Sequence, residues 1–164
     1  MRTVRKISRK DLTYRDDAMG YFLAGFTEGE GSFNVSLRKK DDYALKWQVV
    51  MSFNVSQKDP ALLKLLQTTL DCGIIKVRKR DGLFSYDVTN PTDVIFKVIP
   101  FFQKYPLVSK TKKSNFHIFC LIAKIMENGG HRKITGLHKI VRLREKLNPG
   151  ISRKRKYNMS DVIK

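Results

Sequence analysis

After Gly31 the chain changes its hydrophobic period from helical to two, and it holds that period through two long segments. Phe33, Val35 and Leu37 alternate with Ser32, Asn34, Ser36 and Arg38. Beyond the turn Lys39-Lys40-Asp41-Asp42, the residues Trp47, Val49, Met51, Phe53 and Val55 alternate with Gln48, Val50, Ser52, Asn54 and Ser56. Strict alternation puts one face of a strand into a core and leaves the other wet. A second pair follows. Ile75 and Val77 lead into Lys79-Arg80-Asp81-Gly82, and Phe84, Tyr86 and Val88 return; the Asp-Gly pair is a strong hairpin signal. Lys76, Arg78, Arg80, Ser85 and Asp87 fall on the wet side.

The stretch from Tyr21 to Gly31 comes just before. It begins as an apolar, small-residue helix, predicted to be buried on nearly all sides, and ends with Glu28 and Glu30 set among Gly29 and Gly31. Asp16 or Asp17 is the predicted cap, and the helix is predicted to run to about Thr27. Gly20, Ala24 and Gly25 permit another backbone to come close, either within the chain or from a second one. Acids are disfavoured at the negative end of a helix. A divalent cation reverses that penalty, because it is drawn to carboxylates and open carbonyls together. The plain alternative for Glu30 is an exposed acid in a turn.

The remaining segments read as helices. Asp59-Pro60 starts one with Leu62, Leu63, Leu65, Leu66 and Leu70 inward, ended by Gly73. Another spans Thr92 to Phe102, bent or ended near Pro100. A third starts near Ser109 and carries Phe116, Phe119, Cys120, Ile122, Ala123 and Met126 inward, until Gly129-Gly130 breaks it. A basic helix from Thr135 to Leu147 and the run Arg153-Lys154-Arg155-Lys156 close the chain. The element order is α-β-β-α-β-β-α with additions: an α+β fold with helices on one sheet face. It divides into a basic arm (1–15), a core (16–128) and a basic C-terminal extension (129–164).

Lys and Arg number 33 against 15 Asp and Glu, a net charge of +18. Such a charge repels itself in a compact state, so a polyanion is the expected partner. A membrane is not expected, since no 18-residue apolar run and no signal-peptide pattern is present. Cys72 and Cys120 lack metal-ligand spacing and read as buried thiols in a reducing compartment, and His117, His131 and His138 also lack ligand spacing. On the open face, Arg suits guanine edges, Asn and Gln suit adenine, and Ser is permissive. A solvated sheet face is the bland reading, and the total charge argues for nucleic acid. Lys110-Thr111-Lys112-Lys113 sets cations at a helix start, where they oppose the dipole unless an anion binds there.

Leu23-Ala24-Gly25-Phe26-Thr27-Glu28-Gly29-Glu30-Gly31 resembles the nine-residue motif of the LAGLIDADG homing endonucleases. Phe and Thr stand at its fourth and fifth places, Glu at each Asp, and Gly for the Ala between them. The resemblance covers roughly Tyr14 to Met126. It implies an αββαββα fold whose four-stranded antiparallel sheet forms a saddle on duplex DNA. A single motif implies a homodimer on a long, nearly palindromic site, packed through Gly20, Tyr21, Ala24, Gly25 and Thr27, and cutting both strands to leave 3′ overhangs. Glu30 and the Gly29 carbonyl would hold a divalent ion, Mg²⁺ by its all-oxygen ligands, with Mn²⁺ or Ca²⁺ able to replace it in binding. Gln57 and Lys110 match the residues that order water and stabilise phosphate charge. Ala61 stands where some relatives carry a further basic residue.

By the same resemblance, the DNA contacts are Ser32, Asn34, Ser36, Arg38, Lys40, Lys46, Gln48, Val50, Ser52, Asn54, Lys76, Arg78, Arg80, Ser85, Asp87, Lys112 and Lys113. The basic C-terminal extension would reach flanking phosphates. Two other activities fit the fold: a maturase that binds intron RNA, and a regulator that binds DNA without cutting. The expected compartment is a bacterial or archaeal cytoplasm, or the matrix of an organelle that encodes the protein.

Overall fold

The two alternating segments pair with each other. In the computed structural model, which describes residues 9–149 and 155–163, β1 (Gly31–Lys39) and β2 (Trp47–Gln57) run antiparallel with Phe33 opposite Phe53 and Asn34 opposite Ser52. β3 (Ile74–Val77) and β4 (Phe84–Val88) form the second hairpin, and β4 joins β2, which gives the order β1-β2-β4-β3 with every pair antiparallel. Phe33, Val35, Leu37, Val49, Met51, Phe53, Val55, Tyr86 and Val88 are all buried, as the alternation predicts.

Among the described residues, helices cover only this apolar face. α1 (Arg9–Glu30) lies on β1 and β2, and α2 (Ala61–Leu70) on β2, β3 and β4. A continuous helix follows, made of α3 (Pro91–Asp93), a π-helical stretch (Val94–Val98) and α4 (Ile99–Lys104). α5 (Lys110–Glu127) lies on β1, and α6 (Ile134–Lys146) packs on α5. Between the sheet and these helices sits an aromatic cluster. Phe33 is 5.4 Å from Phe53 and 5.3 Å from both Phe102 and Phe119, ring centre to ring centre. These separations suit offset and edge-on ring contacts.

Several boundaries differ from expectation, each for a tertiary reason. α1 starts at Arg9, so the proposed boundary between residues 15 and 16 falls inside a helix. Asp17 does not cap it; its carboxylate accepts from the Tyr105 hydroxyl at 3.0 Å and pairs with Lys104 at 3.1 Å. Pro100 neither ends nor breaks its helix. It offers no N–H, and the π-helical stretch just before it shifts the ladder, with the Ile99 N–H reaching the Val94 carbonyl. At the end of α2 it is Asp71 that turns left-handed, with φ at 48°. Gly73, also left-handed with φ at 76°, lets the chain pass close to β4, since a Cβ there would lie 2.7 Å from the Tyr86 ring. Leu62 and Leu65 are only half-buried, and in α5 the buried Ile118 and Asn115 escaped the pattern.

The C-terminal extension closes the outer edge of β1. The Arg144 Nε donates to the Val35 carbonyl at 3.1 Å, and the Asn148 Nδ2 to the Phe33 carbonyl at 2.7 Å. These bonds satisfy the edge carbonyls that would otherwise invite another strand. Arg155 donates to the carbonyls of Arg144 and Leu147 at 2.9 and 2.8 Å and pairs with Glu145. It is spent inside the fold rather than on flanking phosphates. The rest of the expected basic arm (1–8) and Arg153 and Lys154 of the tail lie outside the described residues. Among the described residues, no helix is long and apolar enough to cross a membrane.

Candidate nucleic-acid interface and acid site

The uncovered sheet face carries the polar half of each alternation in register. Ser32 stands opposite Asn54, Asn54 opposite Asp87, and Asp87 opposite Ile74, which makes one row across all four strands. Arg38 with Gln48, Ser36 with Val50, and Asn34 with Ser52 make three further rows toward the β1–β2 turn. Lys40 and Lys46 sit in that turn, where the Lys46 ammonium donates to the Asp41 carbonyl.

Several of these side chains are already engaged. Asp87 pairs with Lys76 at 2.8 Å and accepts from Ser85 at 3.1 Å. Ser85 is only 3% exposed, so it serves Asp87 and cannot itself meet DNA. Arg78 makes a two-pronged contact with Asp81, at 3.1 and 2.6 Å, and reaches the Ser56 hydroxyl; Arg80 pairs with Asp81 at 3.2 Å. These hydrogen bonds hold the Asp81 carboxyl below the usual carboxylate range, Arg78 being the main cause. Asn34 donates to Ser32 and Asn54 and accepts from Asn148. Ile74 was missed. It is 61% exposed on the polar face, and its parity with Lys76 was the available signal.

The acid site lies where α1 runs into β1. Glu30, the last residue of α1, is exposed. Glu28 is not a second open acid. Its two carboxylate oxygens accept from the backbone N–H groups of Val108 and Ser109, at 2.8 and 3.1 Å, which binds the end of α1 to the start of α5. Burial opposes its charge, but the hydrogen bonds from Ser109 and Val108 and the nearby Lys112 outweigh it and hold the carboxyl low. The sequence marked Glu28 as an acid but gave no sign of this mooring role.

That mooring gives a pH prediction. Because the folded-state value lies below the unfolded one, the stabilisation is complete above about pH 4.3 and is lost as pH falls through the lowered value. Glu28→Gln should therefore melt below wild type at neutral pH, with the gap closing in acid. Parallel melting curves at every pH would count against the mooring.

The lysine facing the acids is Lys112. Its ammonium donates to the Gly31 carbonyl, and burial pulls its pKa down while Glu28 and Glu30 pull it up. It is therefore not a free phosphate contact. Lys110, exposed at the start of α5, makes no ion pair with Glu28 or Glu30. The Ser109 hydroxyl caps α5 by accepting from the Lys112 N–H at 3.2 Å. Gln57 ends β2 opposite Phe84, in step with Val55 and Phe53, so it lies on the helix side of the sheet and not on the polar face. With Gly31 opposite Val55, it stands at the same end of the sheet as Glu30.

The expected interface residues of α1 separate into two sets. Gly20, Ala24 and Thr27 are buried within the chain, and a Cβ on Gly20 would lie 2.2 Å from the Tyr105 ring. The helix is not buried on all sides, however. Tyr21 and Phe22 are 57% and 52% exposed, and a Cβ on Gly25 or Gly29 would meet nothing. Ala18, Phe22, Gly25 and Gly29 follow the helical repeat and form one open stripe.

A family model described as LAGLIDADG endonuclease matches residues 23–123. The chain belongs to that family. Probable intron-encoded endonuclease 2 of Neurospora crassa is 32% identical over 145 residues, 87% of this chain and 32% of that protein. DNA endonuclease I-CvuI of Chlorella vulgaris is 30% identical over 95 residues, 55% of this chain and 58% of that one. Among solved structures, the homing endonuclease I-TnaI superposes with a TM-score of 0.75 at 29% identity, over 80% of this chain and 88% of its own. I-SmaMI, bound to an uncleaved DNA target in the presence of calcium ions, gives 0.77 at 34% identity, over 80% of this chain and 45% of its own. This LAGLIDADG chain thus spans about a third of the curated relatives it first matches, and close to half of I-SmaMI.

Proposed function

We propose that two copies of this chain grip a long, near-palindromic duplex and hydrolyse one phosphodiester in each strand, leaving 3′ overhangs. The observation that carries the proposal is continuity. The polar sheet face begins at Ser32, two residues after Glu30, so the surface that reads bases runs directly into the acid. A net charge of +18 supports a phosphate-rich partner.

Glu30 and the backbone carbonyl of Gly29 fit a hard divalent cation, Mg²⁺ by preference. Both are oxygen donors, and the carboxylate stands at the negative end of a helix. One chain does not complete such a site, since among the described residues no three His, Cys, Asp or Glu side chains cluster. The second copy supplies another Glu30. When bound, the ion supplies Lewis-acid activation and a more acidic water. Gln57 would orient the attacking water. In the hydrolysis the water oxygen bonds to phosphorus and gives up a proton to solvent, the P–O3′ bond breaks and O3′ takes up a proton, so the products are a 5′-phosphate and a 3′-hydroxyl. Lys112 holds the Gly31 peptide, and with it the end of α1, so that Glu30 keeps its place. Lys110, open at the start of α5, stabilises charge on the phosphate. The proposed compartment is that of the encoding genome, an organelle matrix or a prokaryotic cytoplasm.

The test is cleavage of genomic DNA lacking the encoding element, in Mg²⁺ or chelator, with the ends mapped. Discrete metal-dependent cuts with 3′ overhangs are expected. Lys112→Met and Lys110→Met should each slow cutting, with Lys112→Met alone lowering the melting temperature. Tight binding to duplex or to the intron transcript without any cut would overturn the nuclease in favour of the regulator or the maturase.

A further inference from the structure

Four asparagines link the C-terminal extension to the reading face. The Asn148 backbone N–H donates to the Asn115 Oδ1 at 2.9 Å, and the Asn115 Nδ2 donates back to the Asn148 Oδ1 at 2.7 Å. The Asn148 Nδ2 then reaches the Phe33 carbonyl at 2.7 Å and the Asn34 Oδ1 at 3.4 Å. The Asn34 Nδ2 in turn donates to the Asn54 Oδ1 at 2.9 Å and the Ser32 Oγ at 3.0 Å.

A side-chain amide can sit in two orientations that differ only in which end donates. Here each choice forces the next. The Asn148 backbone N–H can only donate, so the buried Asn115 must turn its oxygen toward it and its NH₂ toward Asn148. The Phe33 carbonyl can only accept, so Asn148 must present its NH₂ to β1. Asn34 then offers its oxygen to Asn148 and its NH₂ to Asn54. Asn54 turns its oxygen to Asn34, which leaves its NH₂ as the end of the amide open to a ligand on the face.

We propose that this relay sets the donor polarity of Asn54 and makes Asn148 a positioning residue for base discrimination, a role that rests on the DNA reading proposed above. A bidentate contact to adenine, which asparagine otherwise favours, needs the oxygen and the NH₂ aimed at one base edge, and here the oxygen is turned aside to Asn34. Asn54 therefore asks for an acceptor in the major groove. Guanine, adenine N7 and thymine O4 supply one; cytosine offers only its N4 donor.

The test is selection of binding sites from a pool of randomised duplexes, read position by position. Wild type should disfavour cytosine at one position of each half-site by about 10-fold, within the range of one good base contact. Asn148→Gly keeps the left-handed backbone, where φ is 50°, but removes the amide. It should weaken that preference more than any other in the profile. Asn34→Asp, which accepts from Asn148 with one oxygen and from a turned Asn54 with the other, should invert the preference, admitting cytosine and disfavouring guanine. Circular dichroism melts check that both variants fold. If both variants keep the wild-type profile, or wild type tolerates cytosine everywhere, the relay is wrong while DNA reading stands. If wild type selects no sequence, both fall.

Discussion

Glu30→Gln should lower strand cutting by about 10²–10³-fold, the scale on which removing one preorganised electrostatic group acts. It should leave duplex binding within a few-fold of wild type. The side chain is exposed at the end of α1 and makes no ion pair among the described residues, so the variant should melt as wild type does. What the amide loses is the negative charge that a hard cation requires. Binding in the proposed mode depends instead on the sheet face and the surrounding cations, and it should weaken as salt rises. The comparison with Glu28→Gln makes the result specific. Both changes replace one carboxylate of the same motif, but Glu28 holds the N–H groups of Val108 and Ser109 and Glu30 does not. Loss of cutting at constant stability is expected for Glu30 alone. Full cutting by Glu30→Gln would remove the metal assignment.

The sequence disclosed what depends on near neighbours along the chain. Phe33, Val35 and Leu37 against Ser32, Asn34 and Ser36 defined two faces, and the pairing of β1 with β2 preserved both. Gly31 also marked the change of period, but α1 runs on to Glu30, past the end expected near Thr27. What escaped were bonds between segments far apart. Asn148 meets Phe33 more than a hundred positions earlier, and Glu28 meets Ser109 across most of the core. An asparagine in a loop and a glutamate in a helix look alike with or without such partners. Asp17 was misjudged for the same reason, since a capping residue and an ion-paired one have the same letter. The position of Lys112 shows how fine the margin is. Lys110 and Lys112 differ by two places on one helix, and only the packing of α5 against α1 decides which of them faces the Gly31 carbonyl.

Gly20 and Gly25 in α1 should give opposite results, and the difference tests the proposed docking of a second chain on α1. In a helix, glycine costs roughly 1 kcal/mol relative to alanine, so replacing either should help unless something stands in the way. At Gly20 something does. A Cβ would lie 2.2 Å from the Tyr105 ring, which is itself buried and fixed by its hydrogen bond to Asp17. Overpacking of that kind costs about 1–3 kcal/mol, so Gly20→Ala should lower the melting temperature of the chain whether or not it is paired. At Gly25 nothing lies within reach of an added Cβ, and the residue sits between Phe22 and Gly29 on the open stripe. Gly25→Leu should fold at least as stably as wild type at low concentration. Two helices crossing at Gly25 and Gly29 can approach closely only while those positions stay small, so the same change should split the proposed two-chain assembly and abolish double-strand cutting. Sedimentation at several concentrations, beside a cleavage assay, reads both effects. Undiminished self-association in Gly25→Leu would move the interface off α1, and with it the proposed pairing of two Glu30 side chains at one metal site.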